Sequence, residues 1–143
     1  MQHELPRQAV SPGHPRRVLV ADADEDARAL CRQLLHENGY DVIEAPDGRD
    51  ALERALVRQP AIVVSELRLP HIDGFALCEI LRRDHITASG PIVVVTEETR
   101  RSGIDRIRAA GADVVLVKRT SAEVLLRERL SDAEAQWVAR MRV

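Results

Sequence analysis

The stretch PAIVVSELRLPHIDGFALCEILR, residues 60–82, decides the fold of this chain. Residues 61–65 are a continuous apolar run without alternation, which is typical of a parallel strand buried on both faces. An Asp-Gly pair at residues 73–74 then precedes apolar side chains at helical spacing. These side chains are Phe75, Leu77, Cys78 and Leu81. The stretch therefore predicts a buried strand followed by an amphipathic helix.

The same strand-helix unit recurs on both sides of this stretch. Further strands are predicted at residues 17–21, 40–45, 92–96 and 114–117. Further helices are predicted after Asp24, after Asp47, around Ile104 and Ile107, and from Thr120 or Ser121 through Leu126. Five strands that alternate with five helices through short connections indicate an α/β domain with a doubly wound parallel sheet.

Length and composition describe one globular domain with short extensions. The chain has 143 residues, of which 45% are apolar and 31% charged, as is typical of a protein that buries a core. Residues 1–15 hold three of the seven prolines and predict a flexible arm before a domain at residues 16–130. Residues 131–143 predict a helical extension with Trp137, Val138 and Met141 on one face. We expect this extension either to pack on the domain or to meet a partner.

Composition also excludes several classes of protein. A net charge of −2 and an aromatic content of 2% argue against nucleic-acid binding by this chain, since such domains need excess basic charge and stacking rings. The sequence has no apolar run of about 18 residues and no signal-like N-terminus, so we expect a cytoplasmic protein without a membrane segment. Cys31 and Cys78 lie in apolar helical patterns, which predicts two buried, reduced thiols.

Functional side chains are expected at the carboxyl ends of the strands, because sites in doubly wound sheets lie outside that edge. The residues at these strand ends are Asp22, Ala23, Asp24, Glu66, Thr96 and Lys118. Two or three carboxylates, a hydroxyl and an ammonium would meet there in one pocket. Lys118 is the only lysine among 21 basic residues, and its compact ammonium enters a tight pocket more easily than a forked guanidinium.

Five segments together resemble the receiver domain of bacterial two-component response regulators. They are RVLVADADEDARALCRQLL (17–35), GYDVIEAPDGRDAL (39–52), the stretch at 60–82, PIVVVT (91–96) and GADVVLVKR (111–119). The resemblance covers residues 16–130. It implies a flavodoxin-like three-layer sandwich, a parallel sheet in the order 2-1-3-4-5, a role in phosphorelay signal transduction and no enzyme activity of its own.

In that family a histidine kinase transfers a phosphoryl group to an aspartate at the end of strand three. Two acidic residues after strand one help this aspartate to hold a divalent metal, and the metal and a lysine neutralise the charge of the transition state. Mapped onto this chain, the first acid is Asp22, the second is replaced by Ala23, and Glu66 stands at the phosphoacceptor position. The resemblance therefore implies a damaged phosphorylation site on a retained scaffold.

The remaining positions of the family pattern are partly kept. Thr96 stands at the switch hydroxyl position and Lys118 at the lysine position, whereas Val115 replaces the switch aromatic and Arg119 the following proline. Thr96 has an alternative role as a cap for the helix near Thr99. Lys118 either takes part in signalling or only pairs with the buried carboxylates to hold the strand ends together.

We expect weak Mg²⁺ binding by Asp22 and Glu66, because a ligand is missing and hard dications prefer several oxygen donors. Asp24 would join them only by leaving its role at the helix N-terminus. The extra methylene of Glu66 moves its carboxylate outward by about 1.5 Å, and displacements near 1 Å already cost on the order of a hundredfold in positioned chemistry. The longer carboxylate would partly imitate a phosphorylated aspartate.

Three hypotheses of function follow. The first is a degenerate receiver that binds proteins without phosphotransfer. The second is a working receiver that is phosphorylated on Glu66 or Asp22. The third is a phosphatase of the haloacid dehalogenase type, with Asp22 as nucleophile and Asp24 as acid/base, because residues 22–24 superficially resemble its DxD motif.

For the first hypothesis we expect the partner to be a histidine kinase, an output protein or a second copy of this chain. Its contact surface would be the face of helix four, strand five and helix five, which family members use for dimers and output domains. The charged rim of that face comprises Arg100, Arg101, Arg106, Arg108, Glu123, Arg127 and Glu128. A rim of mixed sign suits a self-complementary homodimer.

Overall fold

The computed structural model describes residues 16–117, which form five strands and four helices. The strands are β1 (Arg16–Ala21), β2 (Tyr40–Ala45), β3 (Ile62–Glu66), β4 (Ile92–Thr96) and β5 (Val114–Val117). The helices are α1 (Glu25–Glu37), α2 (Gly48–Arg58), α3 (Gly74–Arg83) and α4 (Arg101–Ala110). All strand pairs are parallel, in the order β2-β1-β3-β4-β5. This order confirms the predicted doubly wound sheet.

Several predictions fall on residues outside this range. They concern the arm at residues 1–15, the fifth helix from Thr120 or Ser121, the extension at residues 131–143, and the side chains of Lys118 and Arg119. Within the described range, no helix is long and apolar enough to span a bilayer.

The sheet is buried on both faces because successive side chains of a strand point to opposite sides. In β1, Leu19 and Ala21 belong to a core cluster shared with α2, α3 and α4, whereas Val18 and Val20 belong to a second cluster shared with α1. Both clusters consist mainly of aliphatic side chains and small residues, and the second also contains Tyr40. The helices described here therefore divide into α1 on one face and α2, α3 and α4 on the other.

Aspartates begin three of the four helices, as the sequence pattern predicts. The Asp24 carboxylate accepts a hydrogen bond from the Asp26 amide at 2.9 Å. The Asp47 carboxylate accepts one from the Asp50 amide at 2.8 Å. The Asp73 carboxylate accepts one from the Ala76 amide at 2.9 Å. Such caps satisfy amides that the first helical turn leaves without partners.

Strand β3 lies one residue further along the chain than predicted, at Ile62–Glu66 instead of 61–65. Glu66 pairs with Val95, and the next amide, that of Leu67, donates to the Val95 carbonyl at 3.0 Å. The ladder to β4 therefore continues past the apolar run. Glu66 is consequently the last residue of a strand and is fixed by the sheet.

Cys31 and Cys78 are buried free thiols, as predicted. Burial raises the pKa of the Cys31 thiol to about 12, with a further contribution from the negative charge of Asp22. Burial raises the pKa of Cys78 to about 11. Both thiols are therefore protonated at neutral pH and pack as small apolar groups.

Helix α2 begins in direct contact with the loop between β3 and α3. The amide of Gly48 donates to the Pro70 carbonyl at 3.1 Å, and a Cβ at Gly48 would overlap the backbone oxygen and carbonyl carbon of Ile72. No side chain fits between the two segments. The sequence pair Asp47-Gly48 thus combines a cap with a close backbone contact.

Arg82 joins three segments at the amino ends of the strands. Its guanidinium donates to the carbonyls of Gly111 at 3.0 Å, Ala88 at 2.9 Å and Gly90 at 2.5 Å, and pairs with the Asp113 carboxylate at 2.7 Å. The side chains of Arg82 and Asp113 are largely buried, with 23% and 11% of their surfaces exposed. The same carboxylate oxygen accepts from the amide of Ile92 at 2.7 Å. This network connects α3, the loop before β4 and the start of β5.

Replacing Gly48 by alanine is expected to lower the free energy of unfolding by about 1–3 kcal/mol, because the new Cβ overlaps backbone that cannot turn away. Gly90→Ala is the matched control, since its Cβ would lie 3.8 Å from the nearest heavy atom. Urea denaturation followed by circular dichroism measures both. Equal midpoints for the two variants would contradict the close approach of α2 to Ile72.

Replacing Arg82 by methionine is expected to lower the free energy of unfolding by about 3–5 kcal/mol, because the Asp113 carboxylate loses its contact with the guanidinium and three backbone carbonyls lose their donor. Arg54→Met is the control, because Arg54 forms only an i,i+4 pair with Asp50 at 3.5 Å on the helix surface. That loss should cost about 0.5 kcal/mol or less. A similar urea midpoint for both variants would show that the Arg82 network contributes little.

Candidate functional site

Asp22, Glu66 and Thr96 lie side by side along the carboxyl edge of the sheet, as predicted. Asp22 follows Ala21, which is in register with Ser65, and Glu66 follows Ser65. Glu66 is in register with Val95, the residue before Thr96. Three neighbouring strands therefore deliver two carboxylates and one hydroxyl to the same edge.

Asp22 is fixed through both its backbone and its side chain. Its amide donates to the Ala45 carbonyl at 3.1 Å, and its carbonyl accepts from Arg28 Nη1 at 2.7 Å. Its Oδ1 accepts from the amide of Asp24 at 2.9 Å. One carboxylate oxygen of Asp22 is thus already engaged by the turn that leads into α1.

Arg28 brings a positive charge to this side of the edge. Its Nε lies 3.3 Å from Glu44 Oε1, and Arg32 Nη1 lies 2.6 Å from Glu44 Oε2. The hydrogen bond from Arg32 is the largest of several contributions that lower the pKa of Glu44. Glu44 therefore stays ionised and holds both arginines against β2. In the sequence Arg28 shows only a helical spacing to Arg32, which gives no sign of its contact with the Asp22 carbonyl.

Asp24 does not turn toward the edge. Its Oδ1 accepts from the amides of Asp26 at 2.9 Å and Ala27 at 3.3 Å, so its carboxylate caps α1. Both contacts lie at the start of α1 and not at the ends of the strands. The geometry therefore gives no support to an acid/base role for Asp24 in a phosphatase.

Glu66 is half-buried at the end of β3. Its carbonyl accepts from the Ser65 hydroxyl at 2.9 Å, and its backbone is bound into the β3–β4 ladder. The backbone of residues 66–67 also lies within 3.1 Å of the position that a Cβ at Gly74 would occupy. The strand end and the start of α3 consequently hold the Glu66 backbone in place.

Thr96 is buried, with 3% exposure, and its hydroxyl accepts from the amide of Glu98 at 3.0 Å. The prediction that Thr96 caps a helix near Thr99 is wrong. Helix α4 begins at Arg101, and Arg100 occupies its N-cap position without a side-chain cap bond. The helix starts too far along the chain for the Thr96 hydroxyl, which instead stabilises the turn after β4.

Glu98 organises the β4–α4 loop, although no pattern in the sequence predicts this role. Its carboxylate accepts from the amide of Thr99 at 3.1 Å and from Arg100 Nε at 3.2 Å. The Arg100 hydrogen bond is the largest cause of the lowered pKa of Glu98. A Cβ at Gly103 would overlap this carboxylate. The loop therefore places the Glu98 carboxylate directly against the first turn of α4. In the sequence, the spacing between Glu98 and Gly103 is the only sign of this contact.

Val115 is half-buried in β5 and packs against the core cluster of α2, α3 and α4. An aliphatic side chain at this position has no ring to move between a buried and an exposed position. The two remaining positions of the family pattern, Lys118 and Arg119, lie outside the described residues.

The donor set fits a resident divalent cation poorly. Ala23 offers no side-chain ligand, Asp24 caps α1, and one oxygen of Asp22 is hydrogen-bonded to backbone. Within residues 16–117 no group of three or more His, Cys, Asp or Glu side chains is arranged to hold a metal. Mg²⁺ in proteins is usually held by one or two carboxylates together with several waters, so the alanine at position 23 leaves Asp22 and Glu66 as the carboxylates at the strand ends that could act as ligands.

An open groove of about 580 Å³ adjoins this edge, between the β1–α1 loop and the start of α3. Ala23 lines one side of it, and Leu67, Pro70 and Phe75 line the other. Arg106 lies over the Phe75 ring, with its guanidinium carbon 5.0 Å from the ring centre. The groove is apolar where it adjoins Ala23.

Comparison with known proteins identifies the family to which this architecture belongs. Residues 18–129 match the model of the response regulator receiver domain family. The chain is 35% identical over 113 residues to the transcriptional regulatory protein PdtaR of Mycobacterium tuberculosis, covering 78% of this chain and 54% of that protein. It is 35% identical over 114 residues to the DNA-binding dual master transcriptional regulator RpaA of Synechocystis, covering 77% of this chain and 46% of that protein. The chain thus spans about half the length of these curated relatives.

Solved structures give the same result. The chemotaxis response regulator CheY4 of Vibrio cholerae superposes with a TM-score of 0.77 at 28% identity, covering 84% of this chain and 99% of that one. A response regulator from Chloroflexus aurantiacus superposes with a TM-score of 0.75 at 28% identity, covering 85% and 99%. With a sheet in the order β2-β1-β3-β4-β5 and acidic side chains at its carboxyl edge, this chain belongs to the response regulator receiver domain family of two-component signalling.

Proposed function

We propose that this chain is a receiver that signals by binding proteins and does not depend on phosphorylation. The observation that carries the proposal is the state of the acidic edge: Ala23 supplies no ligand, and Asp22 Oδ1 accepts a backbone hydrogen bond. Phosphoryl transfer depends on positioned positive charge at the transferred group. Without a well-held cation, transfer to this edge lacks its principal electrostatic support.

The acceptor position supports the same proposal. A glutamate at the end of β3 carries its carboxylate about 1.5 Å beyond the place an aspartate would reach, and errors near 1 Å cost on the order of a hundredfold in rate. The strand fixes the Glu66 backbone, so the backbone cannot retract to compensate. The longer Glu66 side chain instead partly imitates the greater reach of a phosphorylated aspartate. In this proposal the domain catalyses no reaction of its own and binds Mg²⁺ only weakly.

The binding surface in this proposal is the face formed by α4 and β5. Its described part is strongly basic, because Arg100, Arg101, Arg106 and Arg108 are all exposed along α4. The partner is a histidine kinase, an output protein or a second copy of this chain in the cytoplasm. Rim charges of this kind set the rate of association and the choice of partner more than the affinity.

The proposal predicts that the wild-type chain gains no phosphoryl group from acetyl phosphate and Mg²⁺. The double variant Ala23→Asp with Glu66→Asp restores both missing groups and should gain one phosphoryl group that hydroxylamine removes. Intact-mass spectrometry of both proteins measures this. Ala23→Asp with Glu66→Gln is the matched control, which restores the ligand but has no acceptor carboxylate.

A hydroxylamine-labile phosphoryl group on the wild-type chain would contradict the proposal and identify Glu66 or Asp22 as an acceptor. Glu66→Gln and Asp22→Asn in the wild-type background would then tell the two apart. Failure of the double variant to react would show that the scaffold, and not only its two substituted residues, disfavours transfer.

Mg²⁺ affinity provides a separate prediction. The single variant Ala23→Asp should bind Mg²⁺ at least about tenfold more tightly than the wild type, because a second carboxylate joins Asp22 and hard cations gain affinity with each charged oxygen ligand. Isothermal titration calorimetry measures both proteins, with Ala76→Asp on α3 as a control for added surface charge. Equal affinity of wild type and Ala23→Asp would contradict this account of the edge.

A further inference from the structure

The groove beside the acidic edge has an apolar interior. The groove holds about 580 Å³, and its apolar lining comprises Ala23, Leu67, Leu69, Pro70 and Phe75. The Asp73 carboxylate, which also lines it, is engaged by the amide of Ala76 at 2.9 Å. An apolar depression at the carboxyl edge of the sheet can be covered by another protein at little cost in polar desolvation.

Ala23 is central to this property. An ionised carboxylate at this exposed position would have to be desolvated when a partner covers the groove, and an unpaired buried charge is strongly unfavourable. The methyl group of Ala23 removes that cost. The substitution that takes a ligand away from the edge therefore also makes the edge suitable for a protein contact.

Charges of opposite sign flank the groove. On the side of Ala23, Glu25 and Asp26 are exposed in the first turn of α1. On the other side, Arg68 is exposed at the groove wall and Arg106 lies over Phe75. Within residues 16–117 the side chains of Glu25, Asp26 and Arg68 form no hydrogen bond or ion pair, whereas Glu44, Glu98 and Asp113 are paired with arginines.

The two flanks lie on opposite faces of the sheet. Helix α1 belongs to the core cluster of Val18 and Val20, whereas α3 and α4 belong to the cluster of Leu19 and Ala21. The acidic and basic flanks are therefore separated by the groove itself. A two-fold axis through the groove would place the acidic flank of each copy on the basic flank of the other, which is the condition for an isologous interface.

We propose that this groove is a self-association surface that receives a second copy of this chain about such a two-fold axis. Ala23 and Phe75 form the apolar centre, and Glu25 and Asp26 of each copy face Arg68 and Arg106 of the other. This surface adjoins the carboxyl edge of the sheet and shares only Arg106 with the basic face of α4. The dimer does not require the phosphorylation-independent function to be correct, since it follows from shape and charge alone.

Sedimentation velocity of the full chain tests the proposal over a concentration series. We expect a dimer that weakens as salt rises, because exposed ion pairs are screened beyond a Debye length of about 10 Å at 0.1 M salt. The acid-reversed variant, Glu25→Arg with Asp26→Arg, and the arginine-reversed variant, Arg68→Glu with Arg106→Glu, should each raise the dimer dissociation constant by at least about tenfold. Mixed in equal amounts, they should form a heterodimer, because both contacts are again of opposite sign.

Matched controls separate this surface from others. Glu53→Arg on α2 and Arg83→Glu on α3 each reverse one exposed charge away from the groove and should leave the dimer unchanged. Ala23→Asp should weaken the dimer by placing a charge in its centre. Circular dichroism verifies that every variant is folded.

Three results would overturn the proposal. They are a monomeric wild-type chain at all concentrations, a dimer that neither charge-reversed variant weakens, and a mixture of the two variants that stays monomeric. Loss of the dimer only in Arg101→Glu with Arg108→Glu would assign self-association to the outer face of α4 instead. None of these results bears on the phosphoryl-transfer experiment, so the two proposals fail independently.

Discussion

Because the side chains of β1 and β3 are buried on both faces of the sheet, the chain has to cover both faces with helices. It does so by sending α1 to one face and α2 and α3 to the other. The loops after β1 and β3 therefore leave the sheet in opposite directions, and a depression opens where they part. The position of the functional edge is a geometric consequence of two-sided burial, and the side chains that line it determine only its chemistry.

The chemistry of the edge depends on few substitutions, since the scaffold beneath it is intact. The backbone of Glu66 is held by β4 and closely packed against Gly74, and Thr96 is buried beside it. The differences from the family pattern lie in charge and in side-chain length. Position 23 is an alanine and not an acid, and position 66 is a glutamate, which is longer than an aspartate. Under the proposed function, the receiver gives up the electrostatic support for phosphoryl transfer while the packing of its core is retained.

The sequence was sufficient to predict the fold, because apolar periodicity and the caps at Asp24, Asp47 and Asp73 report directly on burial and helix starts. It also placed Asp22, Glu66 and Thr96 on one edge, since parallel strands share the direction of their carboxyl ends. The predicted helix-capping role of the Thr96 hydroxyl was wrong, because α4 begins at Arg101 and the hydroxyl accepts from the Glu98 amide instead. The sequence also missed Glu98 and Arg28, because their roles arise from loop conformation and from contacts with backbone carbonyls, which leave no periodic signal.

The Arg82 network has a mechanical consequence for α4. At its carboxyl end this helix runs into Gly111, whose carbonyl is bound by Arg82, and so that end is tied to α3 and β5. At its amino end it has no side-chain cap and contacts mainly the Glu98 loop. A ten-residue helix is about 15 Å long. Because the Gly111 end is tied to α3 and β5, a rotation of the helix about that end would move Arg101, beside the carboxyl edge of the sheet, farther than any other residue of α4.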